Sequence, residues 1–459
     1  MDRKLVSSLT LALLLGGTTH ALGANLNVDT TADSPDLKPG DGQCASKAGG
    51  CTLRAAIEEA NATTLADTIN LPPGTYALTV ASTGGPDFAQ SGVLFLNGEV
   101  QILGGDAAST VVDGGGKLRV FETEKDSTIS LMGLTVQNGL ADGSSGAGIL
   151  NRGHLKLADV VVRNNRAQGT PLNASGAGAG VANAETGTAT FLNVRIEGNT
   201  ADGRGGGVAN SGELQVMNST IAGNASLTDD GGGIVNQGTL SLLLSEVTGN
   251  RAKSGAGLDN IEGSVKLTDS TLADNAASSD GGAVFNSGTL AAVNTTISGN
   301  TAGGAGGGIA NRAEGRVTLN NATVAGNTAT GAGGGVASAA TAAVALANSI
   351  LSGNTGSTGA DCSGVVTSGG YNLVQSEGGC TLQGAGDGDV IGKDAQLAVL
   401  AKNDGPTRSR ALQAGSPAID GGNPGKATGS GGTCAPADQR GVARDKGRCD
   451  IGAYETAAK

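Results

Sequence analysis

The residues best suited to chemistry are aspartates at matching places in a repetitive chain. Asp142, Asp202, Asp229, Asp230 and Asp280 each lie shortly before a glycine-rich step. If successive repeats stack as strands do, about 4.8 Å apart, these side chains share one edge. Asp202 and Asp230 then become near neighbours, with Arg204 close by. Paired carboxylates can hold calcium, or divide the roles of acid and nucleophile at a glycosidic bond. The plainer reading is that they are solvated turn residues, because Asp favours turns and Lys253 interrupts the acidic row. Catalysis by Asp202, Asp230 and Arg204 is therefore the weaker alternative, and neither a metal site nor a cofactor is expected.

Other reactive groups are sparse. Of the histidines, His20 falls in an apparent leader and His154 follows Asn151-Arg152-Gly153, where a solvated turn residue is expected rather than a general base. No Ser-His-Asp or Cys-His arrangement is readable. The cysteines form sequence-local pairs, Cys44 with Cys51, Cys362 with Cys380, and Cys434 with Cys449. Without Cys-x-x-Cys spacing or a nearby histidine they do not suggest zinc, and proximity predicts three disulfides. Between residues 140 and 355 the aromatic side chains are Phe191 and Phe285, a poor platform for stacking sugar rings. Sequons such as Asn218-Ser219-Thr220 coincide with the repeat and read as strand and turn residues.

The elements that position these groups come from the repeat. A Gly-rich step, an apolar residue and then an asparagine recur at Ile149/Asn151, Val181/Asn183, Val208/Asn210, Ile234/Asn236, Leu258/Asn260, Val284/Asn286 and Ile309/Asn311, and Ser338 takes the asparagine's place after Val336. The apolar residues are spaced 32, 27, 26, 24, 26, 25 and 27 apart. A second register holds Asn165, Asn199, Asn224, Asn250, Asn275, Asn300, Asn327 and Asn354, often before Thr-Ala. Alternating segments such as Ser264-Val265-Lys266-Leu267-Thr268 lie between the registers, and alternation marks strands with one buried face. Each repeat thus reads as three short strands. Each strand finds its partner one repeat later, as in a solenoid. The predicted fold is all-β, a right-handed parallel β-helix with asparagine ladders at its corners, where the amide can both donate and accept. Pro171, in the overlong repeat, is expected in a loop.

Composition agrees. Gly accounts for 81 of 459 residues, but its periodic placement beside β-branched residues argues for order rather than flexibility. The net charge of −12 with no basic cluster argues against nucleic acid as a partner. Arg3 and Lys4, the apolar run Leu5–Leu15 and small residues to Ala24 read as a signal peptide, cut after Ala21 or Ala24. No later stretch is apolar enough to span a membrane. The predicted organisation is a signal at 1–24, a cap at 25–66, the β-helix at 67–355 and a distinct C-terminal region at 356–459. That last region either closes the coil or forms an appended domain. In the cap, Thr52 can start a helix whose Leu53, Ala56, Ile57 and Ala60 share one face.

Asp41-Gly42-Gln43-Cys44 followed by Cys51-Thr52-Leu53-Arg54-Ala55-Ala56-Ile57-Glu58-Glu59-Ala60-Asn61 resembles the bacterial CSLREA region, with Thr52 and Ala55 departing from its name. Asn403-Asp404-Gly405-Pro406, Ala414-Gly415-Ser416-Pro417-Ala418-Ile419-Asp420, Asp438-Gln439-Arg440-Gly441 and Cys449-Asp450-Ile451-Gly452-Ala453-Tyr454-Glu455 resemble a choice-of-anchor Q domain. The middle is similar to pectate-lyase-type β-helices and to the Gly-Gly-Ala-Ile repeats of chlamydial polymorphic outer-membrane proteins. These resemblances imply a secreted or surface protein and no particular reaction. The functional expectation is a monomeric, structural or adhesive extracellular protein that binds a glycan or a protein surface without catalysis. A carbohydrate-active enzyme of the pectate-lyase-like class is the alternative.

Overall fold

A computed structural model describes residues 22–81, 92–169, 176–384, 386–429, 432–444 and 448–456. Most of the expected leader and the loop expected at Pro171 lie outside these residues. One coil shows the pattern. Val208–Asn210, Glu213–Met217, Thr220–Ala222 and Ala225–Ser226 are separate strands. They pair in parallel with Ile234–Asn236, Thr239–Leu243, Glu246–Thr248 and Arg251–Ala252 of the next coil. The chain is therefore a parallel β-helix. Its faces are a narrow one of Gly-Gly-Ile-x-Asn strands, a broad one of five-residue strands, and a third face of 13 strands. A fourth, eight-stranded ladder of very short strands follows the second asparagine register. Three strands per coil are expected from the sequence; the Thr-Ala that follows the second asparagine supplies this fourth.

Period-two burial sets the core. Val208, Leu214, Val216 and Ile221 point inward and are buried with their counterparts in every coil. Phe191 is one of these core residues.

The two asparagine registers are the inner corners. In the first, Asn151 Nδ2 donates to Asn183 Oδ1 at 2.7 Å, and the relay continues through Asn210, Asn236, Asn260, Asn286 and Asn311 at 2.7–2.9 Å. It stops where Ser338 replaces asparagine: Asn311 donates instead to the carbonyls of Gly315 and Ala343. In the second, each Oδ1 accepts both the backbone N–H and the side-chain N–H of the coil before, as Asn224 does from Asn199 at 3.0 and 2.9 Å. This pattern runs from Asn165 through Asn250, Asn275, Asn300 and Asn327 to Asn354, which passes it to Asp361. Buried amides are satisfied without water, which is what lets polar corners sit inside the coil.

The N-terminal lid is helix α1, Leu53–Asn61, capped by Thr52, whose Oγ1 accepts the Ala55 N–H at 3.0 Å. Its apolar stripe is buried on the end of the coil. The polar letters of the motif fasten the segments on either side of it. Arg54 pairs with buried Asp33 and donates to the Gly92 carbonyl. Glu58 accepts the Asp36 N–H, and Glu59 accepts the N–H groups of Gly40 and Gly42. Asn61 bonds to Phe95 and Asn97. Disulfides join Cys44 to Cys51, Cys362 to Cys380 and Cys434 to Cys449.

Stacking continues beyond the last sequence repeat. Cys362–Ser368 pairs with Val336–Ser338 and with Ala343–Ala347, while Leu373–Val374 and Val390–Ile391 extend the third face. From about residue 395 the chain reverses and lies along the outside of that third face.

Candidate binding face and buried carboxylates

The outer surface of the broad face is built from the polar half of each alternating strand. Register places Glu99, Thr128, His154 and Thr188 in one column, and Gln101, Ser130, Lys156 and Thr190 in the next. Together they line a groove of about 450 Å³ along successive coils. His154 is exposed in this groove and its Nδ1 lies 2.7 Å from Thr188 Oγ1. From the sequence, His154 is expected in a turn. The ladder instead puts it on the first residue of a strand, facing outward.

A second exposed row, absent from the sequence reading, marks the corner between the broad and third faces. Asp159, Asn193 and Asn218 hold φ of 54°, 56° and 47°. Asn193 Nδ2 donates to Asp159 Oδ1, and Asn218 Nδ2 to Asn193 Oδ1. The signal that could have found it is an Asp or Asn recurring two residues before most third-face strands, at Asp159, Asn193, Asn218, Asp269, Asn294, Asn321 and Asn348, a position whose left-handed backbone these residues tolerate.

The aspartates of the Gly-rich step do not form one row. Asp142 is exposed at the end of its strand. Asp202 bonds to Arg166 at 3.0 Å rather than facing Asp230. The cause is register: Thr200–Ala201 pairs with Ala225–Ser226, and Gly205 N–H bonds the Asp230 carbonyl. Asp230 therefore stands level with Arg204, two positions away from Asp202. Arg204 pairs with Asp229 at 3.1 Å. Asp280 accepts from Arg312 and from Ala305 N–H.

The structure adds Asp259. It occupies the outward position of strand Leu258–Asn260, between Val235 and Phe285. Yet it is only 1 % exposed, because the Gly-rich turns fold over this column. Gly255, at φ +54°, passes so near that a Cβ there would lie 3.0 Å from the Asp259 Cβ. Neither Asp259 carboxyl oxygen has a hydrogen-bond partner, nor does Asp230 Oδ1. Burial, reinforced by repulsion from Asp230 and Asp229 and eased by Arg204, pushes the Asp259 pKa up to about 8. Burial also raises Asp230, against a hydrogen bond with Ser254. Raised carboxyls are candidates for acid-base work, but neither lines the groove. Among the described residues no group of three or more His, Cys, Asp or Glu side chains is arranged to hold a metal.

No family model matches the chain, and no curated protein matches it by sequence. Among solved structures, the crystal structure of a pectate lyase, Pel9A, is similar with a TM-score of 0.47 and 13% identity, covering 96% of this chain and 98% of the lyase. Among the described residues no helix is long and apolar enough to cross a membrane.

Proposed function

We propose that this is an extracellular, structural or adhesive β-helix that binds a glycan or protein surface along its broad face without catalysis. The observation that carries the reading is the groove, where outward polar side chains repeat coil after coil about 4.8 Å apart. Such a surface supports many weak, regularly spaced contacts rather than one deep site. The asparagine ladders, the Arg54–Asp33 pair and the Arg119–Glu122–Arg152 triad are bonded within the fold. The three disulfides support export, and the cap and C-terminal motifs support kinship with CSLREA and choice-of-anchor Q proteins.

The test is retention of purified protein on immobilised polysaccharides and on fixed cells, comparing wild type with Gln101→Ala/Lys156→Glu. These side chains lie on the outer surface, so folding should be unchanged by circular dichroism. Retention should fall at least tenfold, and sugar ends should not accumulate. Retention unaffected by the substitutions would refute the groove assignment. A rise in unsaturated or reducing ends, lost in Asp230→Asn or Asp259→Asn, would establish the carbohydrate-active alternative.

A further inference from the structure

We infer that the described residues between 395 and 456 are a side clasp that makes the C-terminal coils open as one unit rather than one at a time. In a solenoid each coil touches only its neighbours, so fraying can proceed coil by coil from an end. Here a single segment lies across the third-face strands Glu246–Thr248, Thr271–Ala273, Thr296–Ser298, Thr323–Ala325 and Ile350–Ser352.

Two residues carry the lower end of this contact. Arg408 bonds both Glu246 oxygens, through its backbone N–H at 2.8 Å and its Nε at 3.1 Å. It also reaches Asp274 and Thr248. Gln439 is fully buried. Its Nε2 lies 2.9 Å from Thr271 Oγ1, Thr407 Oγ1 and the Arg408 carbonyl, and its Oε1 accepts from Thr296 Oγ1 at 2.6 Å. One side chain therefore ties two coils to the segment.

Higher up, the corner residues that are exposed in the lower coils are consumed by the segment. Asn294 donates to the Ala437 carbonyl, Asn321 accepts the Ala435 N–H, and Asn348 accepts the Asn423 N–H. Ile350 and Leu373 of the coil pack with Ala395, Leu412, Ala418 and Ile451 of the segment. The clasp is itself braced by Cys434–Cys449 and by Arg444, which is buried and bonded to Glu455 and to the carbonyls of Asp450 and Gly452. The exposed ion pair of Arg408 with Asp274 adds little alone. Gln439 matters more, because removing it strands the buried Thr296 hydroxyl and takes away the N–H that Thr271, Thr407 and the Arg408 carbonyl accept from. Peeling the last coil away thus requires breaking bonds that reach back to Glu246.

Native-state hydrogen exchange on the full chain tests this. In the wild type, third-face amides from Leu272 to Leu351 should share one opening rate. In Gln439→Ala their protection should fall at least tenfold and become graded toward the C-terminus, with Val162 and Ile196 unchanged. Graded exchange in the wild type, or uniform protection in the variant, would overturn the inference. A second arm avoids any folding defect: a specific protease site introduced beside Lys393 is cut after folding. The released 394–459 piece should stay bound during gel filtration; its loss with unchanged coil protection would also overturn the clasp.

Discussion

Replacing Asp259 should make the protein more stable, and by an amount that depends on pH. The carboxyl is 1 % exposed and has no hydrogen-bond partner, so the folded protein holds it protonated up to about pH 8. In the unfolded chain it ionises near its usual value of about 3.9. Between these values the folded state keeps a proton that the unfolded state has released, so stability falls as pH rises from about 4 to about 8 and then levels off. At pH 7 the difference is roughly three pH units, or about 4 kcal/mol at 1.36 kcal/mol per unit. Asp259→Val, flanked by Val235 and Phe285, removes this penalty and the unpaired oxygens together. Urea unfolding followed by circular dichroism should show a gain of about 5 kcal/mol at pH 8.5, shrinking to about 1 kcal/mol at pH 4.5. An equal gain at both pH values, or a loss at pH 8.5, would refute the argument that this carboxyl is buried and neutral.

The inner ladder supplies a prediction of opposite sign. Asn236→Leu strands the buried oxygen of Asn260 and removes one of the bonds of the Asn210 amide, and should cost about 1–3 kcal/mol in the same unfolding assay; no change would mean the relay is not stabilising. Peptide mapping of the unreduced protein should recover Cys44–Cys51, Cys362–Cys380 and Cys434–Cys449 without crossed pairs. N-terminal sequencing of exported protein should begin at Leu22. Strand Leu22–Asn27 pairs with Ala66–Leu71, and Ala24 N–H bonds Asp67 at 2.6 Å. A start at Asn25 would show that the mature protein forgoes those contacts.

What the sequence determined by itself is whatever repeats or is local. Periodic glycine, alternating apolar residues and the two asparagine registers specify parallel stacking, because each strand's pattern matches only its copy one repeat on. The cap was legible through Thr52 and the apolar stripe of α1, and the disulfides through proximity. The tertiary structure alone decided what depends on register across coils and on contacts between distant segments. A two-position offset sends Asp202 to Arg166 and brings Arg204 to Asp229 instead. Asp259 looks like an ordinary outward strand residue until the turn at Gly255 covers it, and His154 looks like a turn residue until its ladder places it in the groove. The chain after about residue 395 gives no periodic signal, since it packs sideways on Thr271, Thr296 and Thr323 rather than on a copy of itself. Local pattern encodes which face of a strand is buried, whereas the environment of an outward residue is set by chain that can lie more than a hundred residues away.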